Sequence, residues 1–159
     1  PLAEFSQDLG KPDDIVESLY LEVTGDYKGQ CLFIFPTKSA MKFIDLIMMQ
    51  EEGTTTEIGD MEESAFKEMS NIFVGAYLNA LGDMLQGKLF PGIPATASDM
   101  VQSVIDMALI KLAEKADEIL RVKTDINIEG HEIEGQFIIM FEEDSYEKIL
   151  SFLKENYMC

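Results

Sequence analysis

The sequence predicts an α+β protein in which a mostly antiparallel β-sheet packs against long helices. Three observations carry this. A hairpin pattern followed by an amphipathic helix occurs twice, and a long helical stretch without a break lies between the two occurrences. The 159 residues, 47% hydrophobic and 26% charged, suit one domain over 1–159 with a single substantial core and exclude bulk disorder.

In chain order, Leu19, Leu21 and Val23 alternate with Tyr20 and Glu22, the period-2 signature of a strand. Gly25 to Gly29 then turns the chain into a second strand, Gln30 to Phe35. Pro36 and Thr37 punctuate and cap a helix over Lys38 to Gln50, with Met41, Phe43, Ile44, Ile47 and Met48 on its buried side. The same order returns as a strand near Arg121 to Ile128, a turn over Glu129 to Gly135, a strand over Gln136 to Phe141 and a helix capped near Asp144 or Ser145. At an offset of 106 the two segments match at Gly29/Gly135, Gln30/Gln136, Phe35/Phe141, Ser39/Ser145 and Lys42/Lys148. Neither a lone hairpin nor a lone helix buries its apolar face, so residues 16–50 and 119–157 read as duplicated halves of a pseudo-two-fold domain. The plainer alternative is chance similarity between two strand-helix units.

Between the halves, a capping box at Asp60 and Glu63 starts the longest helix and Gly87 stops it. Residues 61–86 would span about 39 Å at 1.5 Å per residue. The expected core stripe is Ala65, Met69, Ile72, Phe73, Ala76, Ala80 and Met84. A second stripe, small and polar, runs through Ser64, Glu68, Asn71, Gly75, Leu78 and Gly82. Each of its glycines costs roughly 1 kcal/mol relative to Ala, tolerated most readily where something approaches the backbone closely. After a loop over Phe90 to Pro94, Ser98 or Asp99 caps a further helix to about Lys115. Met100, Val101, Val104, Ile105, Met107, Ala108 and Leu109 give that helix an unusually broad apolar surface, either ordinary core or an adaptable patch.

Composition excludes several chemistries. The formal net charge of −18 repels phosphate backbones and anionic membranes, so no nucleic-acid partner and no membrane insertion are expected. The longest unbroken apolar runs, Cys31 to Phe35 and Phe137 to Phe141, fall far short of the roughly 20 residues that span a bilayer. His131 is the single histidine, which leaves a His-based triad or multi-His metal site without partners. No Gly-rich loop follows a strand, and the acidic clusters lack the ligand spacing of a calcium loop. Pro1 and Leu2 precede an acidic stretch with no basic segment, so no signal peptide is expected, and the absence of an initiator Met suggests a fragment. Cys31 in a strand pattern and Cys159 at the end make no disulfide framework, which points to a reducing cytoplasm.

One pair of residues points to a function. Glu68 and Asn71 stand one turn apart and project the same way beside glycines, although an exposed Glu and Asn on a helix are common in themselves. Ser64, three residues, Glu68, two residues, Asn71, twenty-two residues and Pro94 together resemble the motif of the CheC, CheX and FliY phosphatases of chemotaxis. The run Glu63-Ser64-Ala65-Phe66-Lys67-Glu68-Met69-Ser70-Asn71-Ile72-Phe73-Val74-Gly75-Ala76-Tyr77 is similar to the CheC version in particular. So are the hairpin Glu22 to Gly29 and the methionine-bearing helix after Pro94, and the likeness covers essentially the whole chain. CheC-like proteins commonly carry two such helices. Only about fifteen residues precede the first strand here, so the resemblance implies a CheC-like protein lacking its N-terminal helix.

The resemblance further implies hydrolysis of the aspartyl phosphate of the response regulator CheY, which brings its own Mg²⁺, so that this chain needs no cofactor. Catalysis then needs mainly positioning. Asn71, with both donor and acceptor, would hold the attacking water in line, and Glu68 would pair with a cation of the regulator. Ser64 and Gly75 would line the docking groove. In CheC-like proteins the receptor deamidase CheD docks on the helix after the motif proline, which implicates Asp99, Met100 and Val104 as partner-binding residues. The alternative is a binding module without catalysis, either a CheD-regulating adaptor or a flagellar-switch component.

Overall fold

The computed structural model describes residues 10–113, 120–131 and 133–157. The strands are β1 (Ile15–Gly25), β2 (Gly29–Pro36), β3 (Leu89–Pro91), β4 (Ala95–Met100), β5 (Leu120–Ile128) and β6 (Ile133–Phe141). The helices are α1 (Thr37–Ile47), α2 (Asp60–Leu85), α3 (Val101–Ala113) and α4 (Glu143–Tyr157). Every strand pairing is antiparallel, in the order β3-β1-β2-β6-β5, and β4 adds to the β1 edge beyond β3. The fold is α+β. The expected helix end near Lys115 and Cys159 lie outside the described residues.

Successive side chains of a strand point to opposite faces, and the central strands are apolar on both. Leu19, Leu21, Cys31, Phe33, Phe35, Phe137, Ile139 and Phe141 pack with Phe43 and Ile44 of α1, Phe66, Val74 and Leu78 of α2, and Ile149 of α4. On the opposite face, Val16, Tyr20, Leu32, Ile34, Ile138 and Met140 pack with Val101, Val104, Ile105 and Ala108 of α3. The unbroken runs Cys31 to Phe35 and Phe137 to Phe141 are the sequence trace of a sheet covered on both sides.

At the sheet centre Leu32 lies opposite Ile138, and Gln30 and Ile34 lie opposite Met140 and Gln136. Two side-chain bonds are arranged in the same way. The Lys28 N–H donates to Ser145 Oγ at 2.7 Å, and the Glu134 N–H donates to Ser39 Oγ at 3.3 Å. An offset of 106 carries each of these residues onto its counterpart in the other bond. Gly29 and Gly135 also correspond, and neither position has room for a Cβ: one would meet the Met140 carbonyl and the other the Phe35 ring.

Several local expectations are corrected. The N-cap of α2 is Gly59, whose N–H donates to Glu62 Oε2 at 3.1 Å, in place of an Asp60/Glu63 box. The helix ends at Leu85, and Gln86 takes the left-handed conformation one residue before the predicted stop. Thr37 starts α1 without capping it. Its hydroxyl instead donates to the Ile15 carbonyl at 3.0 Å. Residues 95–100, expected to lead into and cap a helix, form edge strand β4. The first N–H groups of α3 donate to the chain: Val101 to the Asp14 carbonyl at 2.9 Å and Gln102 to that of Pro12 at 3.0 Å. Loop carbonyls thus do the work assigned to a Ser98 or Asp99 side chain.

The turn between β1 and β2 fixes the far end of α2. The buried Tyr27 hydroxyl donates to the Leu85 carbonyl at 2.9 Å, and Asp26 Oδ2 accepts the Lys88 N–H at 2.8 Å. Asp45, wholly buried on α1, secures the loop leading into the other end of α2 by accepting the N–H groups of Gly53 and Thr55, each at 2.8 Å. Burial acts to raise its pKa, but hydrogen bonds from Thr55, Gly53 and Thr54 outweigh it and hold the carboxyl below the usual range. A lowered folded pKa contributes stability above the unfolded value, about 3.9, and that contribution fades as pH falls through the folded pKa. Asp45→Ala, which strands the buried Thr55 N–H and the part-buried Gly53 N–H, is expected to cost about 2 kcal/mol at pH 7. The deficit relative to wild type should shrink below about pH 4, as urea unfolding at the two pH values would measure.

Candidate functional site

The site is carried by α2, a helix of 26 residues clasped at both ends. Its buried face is Phe66, Ser70, Val74, Leu78, Gly82 and Leu85, not the stripe expected from the sequence. Ile72 is 57% exposed and Met84 54%, and Met69, Phe73, Ala76 and Ala80 are exposed with them. The helix carries apolar residues on two faces, and periodicity alone does not say which one meets the sheet. The Phe66 ring settles it by meeting those of Phe35 and Phe43 edge to face, while Tyr77 packs on Phe137 at 4.2 Å and bonds Thr124 of β5 at 2.9 Å.

The small, polar stripe divides in consequence. Leu78 and Gly82 belong to the core, and the approach that Gly82 permits is intramolecular: a Cβ there would lie 2.7 Å from the Gly87 carbonyl oxygen. Ser64 and Glu68 are exposed, and Asn71 and Gly75 are half-buried. These four lie along one margin of the solvent-facing side. Nothing comes within 4 Å of where a Gly75 Cβ would be, so the helix surface beside Asn71 is open.

Electrostatically the pair is unspent. Among the described residues, Glu68 makes no hydrogen bond or ion pair. Asn71 Oδ1 is buried without a partner, as is the hydroxyl of its neighbour Ser70. A buried acceptor left unpaired costs about 1–3 kcal/mol, which a ligand atom or water reaching it would recover. Edge strand β4 comes back to the start of this helix, where the Thr96 hydroxyl donates to Glu63 Oε1 at 2.6 Å, two residues on from Pro94 and one before Ser64. A cleft of about 180 Å³ lies there, lined by Glu17, Ser18, Ile58, Glu63, Phe66, Thr96, Ala97 and Ser98. Sequence reasoning missed this junction because β4 is short in apolar residues. Its threonine and serine, paired to β1, were the available signal.

The residues implied at the second surface separate. Asp99 is exposed on β4 and its Oδ1 accepts the N–H of Met100, which is 43% exposed. Val104 is only 2% exposed and packs against the sheet in the second core cluster, so it cannot line a surface patch. Spacing placed it beside Met100. The sheet face beneath α3 claims it.

Other chemistry is sparse. Burial pushes the Cys31 thiol far up, which leaves it unreactive. Among the described residues no group of three or more His, Cys, Asp or Glu side chains could hold a metal, and no helix is long and apolar enough to cross a membrane.

Comparisons with known proteins agree with this architecture. Residues 18–109 match the family described as chemotaxis phosphatase CheX. The chain is 31% identical over 145 residues to the CheY-P phosphatase CheC of Bacillus subtilis, covering 89% of this chain and 69% of that protein. Among solved structures, it resembles Thermotoga maritima FliY with a TM-score of 0.67 at 17% identity, over 95% of this chain and 76% of that one. CheX in the CheX–CheY–BeF₃–Mg²⁺ complex from Borrelia burgdorferi gives a TM-score of 0.53 at 13% identity, over 89% and 93% of the two chains. A two-faced antiparallel sheet, a clasped central helix and these matches together place the chain in the CheC/CheX/FliY family of chemotaxis phosphatases.

Proposed function

We propose that this protein hydrolyses the aspartyl phosphate of a phosphorylated CheY, with Asn71 positioning the attacking water. One observation carries the reading: Glu68 and Asn71 lie one turn apart on one helix, Glu68 without a partner among the described residues and Asn71 with its Oδ1 unpaired among them, beside an uncovered glycine. An acyl phosphate is a reactive mixed anhydride, so its hydrolysis requires an oriented water and charge stabilisation more than a protein nucleophile. In this reading the regulator brings the Mg²⁺ that neutralises the phosphoryl oxygens, and this chain contributes no cofactor.

The Asn71 carboxamide accepts from the water through Oδ1 and donates through Nδ2, which fixes the oxygen in line with phosphorus without removing its proton. Glu68 pairs with a cationic side chain of the regulator and sets the register of docking. Ser64, a turn before Glu68, and Gly75, a turn after Asn71, leave the margin low enough for close approach. The assignment is tested by phosphate release from phosphorylated CheY.

CheD is the proposed regulator, meeting the molecule at Asp99 and Met100 on the β4 edge where α3 begins. Val104 is no part of that surface. Because loop carbonyls, not Asp99, take up the first N–H groups of α3, Asp99→Lys is expected to change stability by less than about 0.5 kcal/mol. It should weaken CheD binding at least tenfold while CheY dephosphorylation stays within about twofold of wild type. Titration with CheD, beside a thermal melt, checks this. Undiminished affinity in the folded variant would place CheD elsewhere.

A further inference from the structure

Glu17 of β1 is a buried carboxylate, 7% exposed, and the hydrogen bonds that reach it fall on one of its oxygens. Oε1 accepts from the Ser98 hydroxyl at 2.9 Å and, at 3.3 Å, from that of Thr37, which it shares with the Ile15 carbonyl. Among the described residues no hydrogen bond reaches Oε2 and no cation pairs with the group. A carboxylate withdrawn from water is ordinarily paired with a cation, because donors on one oxygen do not offset the lost hydration of the other. Glu17 lines the cleft of about 180 Å³ between β1, β4 and the start of α2, which gives a cation access to it.

The cleft is also short of donors. Its three hydroxyls each turn their single hydrogen back into the protein: Ser18 to the Ala97 carbonyl at 3.1 Å, Thr96 to Glu63 Oε1 at 2.6 Å and Ser98 to Glu17. Among the described residues that line it there is no lysine, arginine or histidine. What the polar side chains still offer is carboxylate oxygen and hydroxyl lone pairs, all acceptors, beside the apolar walls of Ile58 and Phe66. The volume lies below the roughly 300–1,000 Å³ of a pocket for a drug-sized ligand, so it suits the head of one side chain or a small amine.

We infer that this cleft binds a guanidinium group, seated on Glu17 and Glu63 between the walls of Ile58 and Phe66. A guanidinium presents several N–H donors in one plane and is weakly hydrated, which matches acceptors set between apolar walls. An ammonium holds its water more tightly. Calcium takes about six to eight oxygen ligands, and among the described residues no group of three or more His, Cys, Asp or Glu side chains could hold a metal, so the organic cation is favoured. The group comes either from an arginine of a polypeptide or from a free guanidino compound. Binding here involves neither Glu68 nor Asn71 and is independent of the phosphatase reading.

The site is tested by calorimetric titration at about 0.15 M salt with N-acetyl-arginine amide, free arginine, N-acetyl-lysine amide and calcium chloride as probes. N-acetyl-arginine amide should bind the wild type saturably and Glu17→Gln about tenfold more weakly or worse, since that variant removes the charge and keeps an acceptor for Ser98. Glu63→Gln should weaken binding about threefold or more. Glu63 is exposed, so this variant serves even where a thermal melt shows Glu17→Gln unfolded. Asp83→Asn removes the same charge near the far end of α2 and should leave the affinity unchanged. Tighter binding of the amide than of free arginine assigns the group to a polypeptide, and the reverse assigns it to a small metabolite. Either order upholds the guanidinium. Absence of saturable binding to the wild type would overturn the site, as would equal affinity in wild type and both glutamine variants or an equal loss in Asp83→Asn. Equal affinity for the lysine amide, or displacement of the arginine amide by calcium, would overturn the choice of a guanidinium.

Discussion

Asn71→Ala is expected to reduce phosphate release from phosphorylated CheY by at least about 100-fold, the scale on which removal of a single preorganised polar group in a transition state is felt. Stability should remain within about 0.5 kcal/mol of wild type or rise slightly. The side chain is half-buried on a helix, alanine is the better helix former, and the amide oxygen forfeits no hydrogen bond because it has none. Binding to CheY should persist, since in the proposed mechanism Asn71 orients water and does not anchor the partner. Single-turnover phosphate release together with urea unfolding separates these quantities. Unfolding in parallel with lost activity would make Asn71 a structural residue.

Glu68→Lys is the second large effect. Glu68 is exposed and free of partners among the described residues, so the change disturbs nothing within the fold while turning the proposed ion pair with the regulator into a repulsion. The Kd for CheY should rise about tenfold or more, with Glu68→Gln intermediate because it removes attraction without adding repulsion. Raised salt should narrow the differences among the three proteins, as screening weakens an exposed charge pair. Calorimetric titration at two ionic strengths measures both. Equal affinity in wild type and Glu68→Lys would remove the docking role.

What the sequence disclosed follows from which signals are local. Both hairpins were legible because Leu19 to Val23 alternate and because Cys31 to Phe35 and Phe137 to Phe141 are apolar throughout, the trace of strands buried on two faces. The central helix was legible in extent to within about a residue at either end. Its rotation was not. Met69, Ile72, Phe73 and Met84 form as convincing an apolar stripe as Phe66, Val74, Leu78 and Leu85, and the choice between them rests on aromatic contacts with strands distant in sequence. The same limit hid β4, whose register on β1 is a long-range property, and made Val104 look like surface. Ser64, Glu68, Asn71 and Gly75 were legible as a margin because their spacing is set by the helix alone. That Leu78 and Gly82 leave this margin for the core depends on the β1–β2 turn and the chain after α2, which meet the helix end through Tyr27 and Gly87.

Whether the margin of α2 hydrolyses an aspartyl phosphate is decided by loading CheY at its active-site aspartate and following phosphate release with and without this protein in Mg²⁺ buffer. Release should be faster with the wild type and should run at CheY's own rate with Asn71→Ala. Release no faster with wild type, while CheY still binds at α2, would contradict the phosphatase reading and leave this surface a docking module.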